Sequence, residues 1–153
     1  MKSHIYTSLI AVTAFMAALA ILNGCGKSSI VQQVQQNAYE KQFEDNILNQ
    51  NFRVQMATDN GLDLTPEYAG YTFRLLKTTS YNGLLTAERN GIVYNGSWSC
   101  NDDYSKLVIS LPADPPEFIF LTREWKFTKK SLPIMELAPW GTTEPKVLHM
   151  ERF

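Results

Sequence analysis

The stretch that decides the fold is residues 84–98, LLTAERNGIVYNGSW. Two short segments of strand-forming residues, Leu84–Arg89 and Ile92–Trp98, flank the dipeptide Asn90-Gly91. A type I′ β-turn requires positive φ at both of its central residues, and Asn-Gly is among the pairs that tolerate this conformation best. The sequence therefore predicts a two-residue β-hairpin in the middle of the chain.

Outward from this hairpin, most of the flanking segments are short, with apolar and polar residues in alternation, and turn residues separate them. These segments are 52–56, 71–76, 106–111, 117–121, 124–130, 132–138 and 146–153. Such spacing is typical of antiparallel all-β domains, and closure leaves no apolar strand edge exposed. We predict an all-β fold, an antiparallel meander of about eight strands closed as a barrel. Such a barrel either fills its interior with side chains or holds one small ligand.

Residues 28–50 have a different pattern, because they contain no Gly or Pro and are rich in Gln and Asn. Their apolar residues recur at spacings of three to five, which indicates a tether followed by a short helix over about residues 35–49. This helix either caps one end of the barrel or binds a partner protein.

The first 25 residues are typical of an export signal. An uncharged run from Leu9 to Leu22 would make a helix of about 21 Å, shorter than the ~30 Å hydrocarbon core of a bilayer, which favours a secretory signal over a membrane span. The sequence Leu22-Asn23-Gly24-Cys25 resembles the lipobox of bacterial lipoproteins. The resemblance implies that residues 1–24 are a signal peptide and that Cys25 carries a lipid anchor.

The lipobox resemblance also implies a location and a domain organisation. Three acyl chains on Cys25 exceed the two signals that stable anchoring needs. An Asp after the cysteine is associated with inner-membrane retention, and Gly26 stands there instead. We therefore expect an outer-membrane protein facing the periplasm, with a lipidated tether and short helix over 25–50 and a β-barrel domain over 51–153. The main alternative is an ordinary cleaved signal peptide.

Composition argues against several classes of function. With 14 Lys+Arg and 15 Asp+Glu among 153 residues, the chain offers no basic surface for nucleic acid. Loss of the signal and lipidation of Cys25 leave Cys100 as the one free thiol and His149 as the one histidine. This set is poor for a nucleophile–base pair or a zinc site, so an enzyme is the least favoured class and we expect no cofactor.

Two acidic segments, Asp59–Asp63 and Asn101–Asp103, do not match an EF-hand loop. We interpret both as ordinary turns in which Asp side chains accept backbone hydrogen bonds. We therefore expect no metal site.

From about residue 50 to 153 the chain resembles the small lipocalin-like lipoproteins of Gram-negative bacteria. The resemblance rests on the lipobox, the helical lead, Gly96-Ser97-Trp98 followed by Asp102-Asp103, and Glu124-Trp125 after an apolar run. It implies a barrel fold more than a function.

Two functional hypotheses follow. In the first, the barrel holds a small apolar ligand, and aromatic residues at period two line the cavity rather than forming simple core. These residues are Tyr71, Phe73, Tyr94, Trp98, Trp125 and Phe127. In the second, the protein docks another envelope protein through residues 28–50 and through Trp140, which we expect to be exposed in a Pro-Trp-Gly loop.

Overall fold

The computed structural model describes residues 26–130 and 132–153, with side chains described from residue 31 onward. The predicted signal peptide and Cys25 lie outside the described residues. The helices are α1 (Gly26–Asn46), a 3₁₀ turn (Thr65–Tyr68) and α2 (Phe118–Leu121). The strands are β1 (Phe52–Asp59), β2 (Leu62–Asp63), β3 (Thr72–Leu75), β4 (Asn82–Arg89), β5 (Ile92–Cys100), β6 (Lys106–Ser110), β7 (Arg123–Lys129), β8 (Ile134–Pro139) and β9 (Lys146–Arg152). No helix in these ranges is long and apolar enough to cross a bilayer.

The strands form a closed barrel. Each strand from β3 to β9 pairs antiparallel with the next, and β1 pairs with β3 on one side and with β9 on the other. The β1–β9 seam runs from the pair Phe52–Arg152 to the pair Asp59–Lys146, and the two-residue β2 is an extra strand beside the end of β1. The predicted all-β meander of about eight strands, closed as a barrel and preceded by a helix, is therefore confirmed.

The hairpin that organises the fold forms at the predicted dipeptide. Arg89 of β4 pairs with Ile92 of β5, and the two residues between them, Asn90 and Gly91, have φ values of 54° and 79°. Positive φ at both central positions is the type I′ geometry that matches the twist of the flanking strands.

A β-bulge changes which residues of β1 face the interior. Alternation alone puts Met56 on the same face as Phe52 and Val54. The register of β1 against β9 shifts between Val54 and Met56, so Ala57 takes the inward position and is fully buried while Met56 is 39% exposed. An extra residue in one strand reverses the facing of every residue after it.

Helix α1 is longer than predicted, because it begins at Gly26 rather than near residue 35 and ends at Asn46. The chain divides into two compact units after Asn37, and the barrel unit, Ala38–Phe153, includes the second half of the helix. Within this unit, Phe43, Ile47 and Leu48 are 2–3% exposed and cap one end of the barrel. We call this end the helix end.

The opposite end, which we call the far end, is closed by α2. The prediction of a strand over residues 117–121 is wrong, because Phe118–Leu121 forms a single helical turn between β6 and β7. Pro115 and Pro116 supply carbonyl acceptors for the amides of Phe118 and Ile119. Four consecutive apolar residues carry no periodicity that separates a buried strand from a buried helical turn.

Candidate functional site

The six aromatic residues predicted to line a ligand cavity lie inside the barrel. Five of them are at most 8% exposed and Tyr94 is half-buried. Rather than facing one common space, they form separate clusters at the two ends of the barrel. They are Tyr71, Phe73, Tyr94, Trp98, Trp125 and Phe127.

At the far end the rings surround a residue of the α2 plug. The Phe118 ring centroid lies 5.2 Å from that of Tyr71, 6.5 Å from that of Phe73 and 5.3 Å from that of Tyr94. Such tilted and edge-to-face contacts at these distances are the favourable arrangements for aromatic pairs. The Phe118 side chain of α2 therefore lies among three of the residues that were predicted to line a cavity.

At the helix end Phe43 of α1 has the corresponding role. Its ring lies 5.7 Å from Trp98 and 6.1 Å from Phe127. Trp125, the sixth predicted residue, packs at 5.5 Å against Phe120 of α2. Each of the six side chains thus has an aromatic ring as a neighbour, and ligand binding by them stays a prediction.

A polar joint attaches α2 to the barrel wall. The Tyr71 hydroxyl donates to Glu117 Oε1 at 2.9 Å, and Arg89 Nη2 donates to the same oxygen at 3.2 Å. The Arg89 guanidinium also lies 4.1 Å from the Tyr71 ring centroid, and the Tyr68 hydroxyl donates to the Glu117 carbonyl oxygen at 2.6 Å. This joint connects the 3₁₀ turn, the start of β3 and the β4–β5 hairpin to the plug.

The electrostatics of the joint suit a structural role. Burial, together with the hydrogen bond to Glu117, raises the pKa of Tyr71 to about 12, so its hydroxyl stays protonated near neutral pH. A phenol in this state is a hydrogen-bond donor and not a base or nucleophile. Glu117, whose side chain is 12% exposed, is occupied by two donors.

Exposed aliphatic side chains collect around the same end of the barrel. We define the far-end patch as Leu62, Ile92, Val93 and Ile119, which are 65%, 57%, 50% and 60% exposed. Leu62 and the pair Ile92-Val93 lie at hairpin tips, and Ile119 lies on the outer side of α2. Strand topology places all four at one end of the barrel, and exposed apolar side chains gathered at one end are candidates for an interaction surface.

Trp140, predicted to be an exposed contact residue, is half-buried. Lys106 Nζ lies 5.5 Å from its ring centroid, and its backbone N–H donates to the carbonyl of Glu124 at 3.0 Å. Part of its ring is thus already covered by its own chain, and partner contact by Trp140 stays a prediction.

The contacts of the Cys100 thiol and of the two acidic segments are those of structural residues. Burial raises the pKa of Cys100 to about 12, so little thiolate forms near neutral pH. Asp63 and Asp103 each accept a hydrogen bond from the backbone amide two residues later, at Thr65 and Ser105, which is the geometry of Asx turns. In the ranges that the structure describes, no group of three or more His, Cys, Asp or Glu side chains is placed to hold a metal ion.

Sequence reasoning did not find Glu117, Arg89 or Phe43, each of which acts through contacts between distant segments. Tyr104 was also missed; it follows Asp102-Asp103 and takes a left-handed φ of 54° that no local pattern indicates. Comparison of the chain with protein-family models, curated proteins and solved structures found no match.

Proposed function

We propose that this chain is a lipid-anchored protein of the bacterial cell envelope, and that its barrel is a non-enzymatic module that docks another envelope protein. Cys25 is the anchor in this proposal and the far-end patch is the contact surface. The observation that carries the proposal is the exposure of 50–65% at four aliphatic side chains on the barrel end opposite the helix.

The aromatic contacts at the two ends of the barrel favour docking over storage of a ligand. Both ends are closed by residues of the chain itself, Phe43 at the helix end and Phe118 at the far end. A carrier of this size needs an interior space that side chains do not fill. We therefore place the function on the outer surface of the barrel rather than in its interior.

Two of the three elements that bear the far-end patch are joined by an ion pair. The ion pair between Arg89 and Glu117, 3.2 Å long, joins the hairpin that carries Ile92 to the loop that leads into Ile119. A rigid arrangement of apolar side chains lowers the entropic cost of forming an interface. The patch is thus a preformed surface in this proposal.

Within the barrel unit the chain enters at the helix end, through Phe43 and Leu48. The far-end patch lies at the opposite end of this unit, on other segments of the chain.

The anchor is tested with Cys25→Ala in cells supplied with radiolabelled palmitate. We expect labelled, membrane-associated wild-type protein and an unlabelled variant. Equal labelling of both proteins would contradict lipidation at Cys25. Wild-type protein that is unlabelled but shortened by signal cleavage would favour an ordinary secretory signal.

The docking surface is tested by crosslinking in intact cells followed by purification under denaturing conditions. The double variant Ile92→Ser/Ile119→Ser is compared with Leu84→Ser, whose side chain is 40% exposed on the barrel wall. We expect the wild type and the Leu84→Ser control to give the same crosslinked partner and the double variant to lose it. An unchanged partner in the double variant would reject the patch.

A further inference from the structure

Asparagine-glycine pairs recur along this chain, since five of its eight glycines directly follow an asparagine. Glycine has no Cβ atom, so its backbone amide is open to approach by the carboxamide of the preceding asparagine. Such a pair can convert spontaneously to an aspartate form, at a rate that the local structure sets. Four of the pairs lie in the described part of the chain, namely Asn60-Gly61, Asn82-Gly83, Asn90-Gly91 and Asn95-Gly96.

The conversion is an internal cyclisation followed by hydrolysis. The glycine backbone nitrogen loses its proton and attacks Cγ of the asparagine, and the Cγ–Nδ2 bond breaks as ammonia leaves. Water then opens the resulting five-membered succinimide at one of its two carbonyl groups, which gives aspartate or isoaspartate. One water is consumed, one ammonia is released, and nothing is oxidised or reduced. The cyclisation therefore needs a carboxamide and a backbone that are free to rotate.

Two of the pairs lie inside strands, where the structure opposes this rotation. Asn82 of β4 and Asn95 of β5 are both paired in the β4–β5 ladder. Their glycines are also in tight surroundings, because a Cβ atom at Gly83 would lie 1.9 Å from a backbone carbonyl oxygen and one at Gly96 would lie 2.2 Å from another. Cyclisation at these two pairs therefore requires local opening of the sheet.

The third pair lies at the tip of the β1–β2 hairpin and is held by two hydrogen bonds. Asn60 Nδ2 donates to Asp59 Oδ1 at 2.7 Å, and Asn60 N donates to the Pro145 carbonyl oxygen at 2.9 Å. The carboxamide must leave the carboxylate of Asp59 before its Cγ atom can meet the nitrogen of Gly61. These bonds therefore slow the cyclisation at this tip.

The fourth pair lies at the tip of the β4–β5 hairpin and lacks these restraints. Asn90 and Gly91 are both exposed, and the ladder ends before them at the pair Arg89–Ile92. Among the residues that the structure describes, the Asn90 side chain makes no hydrogen bond and no other polar contact. The Asn90 carboxamide is thus the one of the four that meets neither a strand ladder nor a hydrogen bond of its own tip.

We propose that Asn90 is a site of spontaneous deamidation, and that the carboxylate formed there weakens docking through the far-end patch. The second part rests on the proposed function. The new charge lies two residues before Ile92, at the tip of the hairpin that carries Ile92 and Val93. A carboxylate beside an apolar interface loses hydration when a partner binds, which opposes binding. Isoaspartate also lengthens the backbone by one methylene group and so no longer fits a two-residue type I′ turn.

The modification is mapped on the purified full chain, incubated at mildly alkaline pH and sampled over time. Peptide mass spectrometry measures the aspartate and isoaspartate formed at each pair. We expect Asn90 to react at least about tenfold faster than Asn60, where a charge-assisted hydrogen bond must break first, and faster still than Asn82 and Asn95. In urea the four pairs should react at similar rates, because the restraints of the fold are gone. Another pair that reacts as fast as Asn90 in the folded chain would overturn the proposal.

The effect on docking is measured with Asn90→Asp, which puts the same charge at the tip and keeps a favoured Asp-Gly turn. Asn90→Gly is the matched control, since its Gly-Gly turn is also favoured and carries no charge. With a photoreactive amino acid in place of Ile119, we expect Asn90→Asp to give at least about threefold less crosslinked partner than Asn90→Gly.

Equal yields from these two variants would reject the effect on docking and leave the docking surface itself intact. A wild-type hairpin that gives no crosslinked partner would reject the docking surface, and with it any effect of the charge on docking. The reaction rates at the four pairs would still decide whether Asn90 is the modified residue.

Discussion

The indole Nε1 of Trp98 donates a hydrogen bond of 2.9 Å to the carbonyl oxygen of Leu76, which joins the interior of β5 to the end of β3. Gly83 lies at the point where these groups meet. A Cβ atom there would lie 1.9 Å from the Leu76 oxygen and 2.9 Å from Trp98 Nε1. Only glycine at position 83 of β4 leaves room for the Leu76 carbonyl and the Trp98 indole to meet there.

We expect Gly83→Ala to lower the free energy of unfolding by about 3 kcal/mol, because the methyl group collides with backbone as well as side chain. Gly91→Ala is the comparison: its Cβ meets open space, and the cost of positive φ should be about 1 kcal/mol. Urea denaturation measures both. Equal costs would contradict the packing of Trp98 over Gly83.

The hydrogen bond between the Tyr71 hydroxyl and the Glu117 carboxylate should give a measurable coupling energy. We expect a double-mutant cycle of Tyr71→Phe and Glu117→Ala to give about 1 kcal/mol or more, because the hydroxyl donates to a carboxylate that is largely buried. The same cycle with Tyr39→Phe, an exposed residue of α1, should give a coupling near zero. Similar values for the two cycles would mean that the hydrogen bond contributes nothing specific.

Stability should fall at alkaline pH. Burial raises the pKa of Tyr68, Tyr71 and Tyr104 above that of a free phenol, so the folded state holds protons that the unfolded state releases. The stabilisation is complete below about pH 9 and is lost as the pH rises through 10 to 12. We expect Tyr71 alone to account for about 1–3 kcal/mol of this loss.

Urea unfolding between pH 8 and 11.5 measures the loss, and the ultraviolet absorbance of phenolate reports ionisation. In the Tyr71→Phe variant the slope against pH should be smaller than in the wild type. A free energy of unfolding that stays constant from pH 9 to 11.5 would contradict the burial of these phenols.

The thiol of Cys100 should react slowly in the folded protein. Burial raises its pKa to about 12, and Sγ contacts the Ser80 carbonyl oxygen at 3.8 Å. We expect iodoacetamide at pH 8 to alkylate Cys100 at least about a hundredfold more slowly in buffer than in urea. Mass spectrometry of the modified peptide follows the reaction, and equal rates would show that the thiol is accessible.

The fold could be predicted from sequence where a local rule fixes the geometry. Asn90-Gly91 specified its turn, since few other dipeptides accept two positive φ values, and alternation placed Trp125 and Phe127 inside. Alternation placed Met56 on the wrong face, because the bulge in β1 depends on the register of β1 against β9 and not on the residues of β1 alone.

The candidate sites could not be predicted in the same way. Glu117 meets Tyr71 and Arg89 across 46 and 28 positions of the chain, and Tyr104 meets Phe43 through the docking of α1. No spacing in a single sequence encodes such encounters. The apolar residues at 118–121 indicated burial, which is right for Phe118, Phe120 and Leu121, but they did not indicate the helical turn, which exposes Ile119.

The most direct test of the docking function is site-specific photo-crosslinking in living cells. A photoreactive amino acid replaces Ile92, Ile119 or, as the control on the barrel wall, Leu84. We predict that positions 92 and 119 give one and the same crosslinked partner and that position 84 does not give it. The same adduct at all three positions, or none at 92 and 119, would contradict docking through the far-end patch.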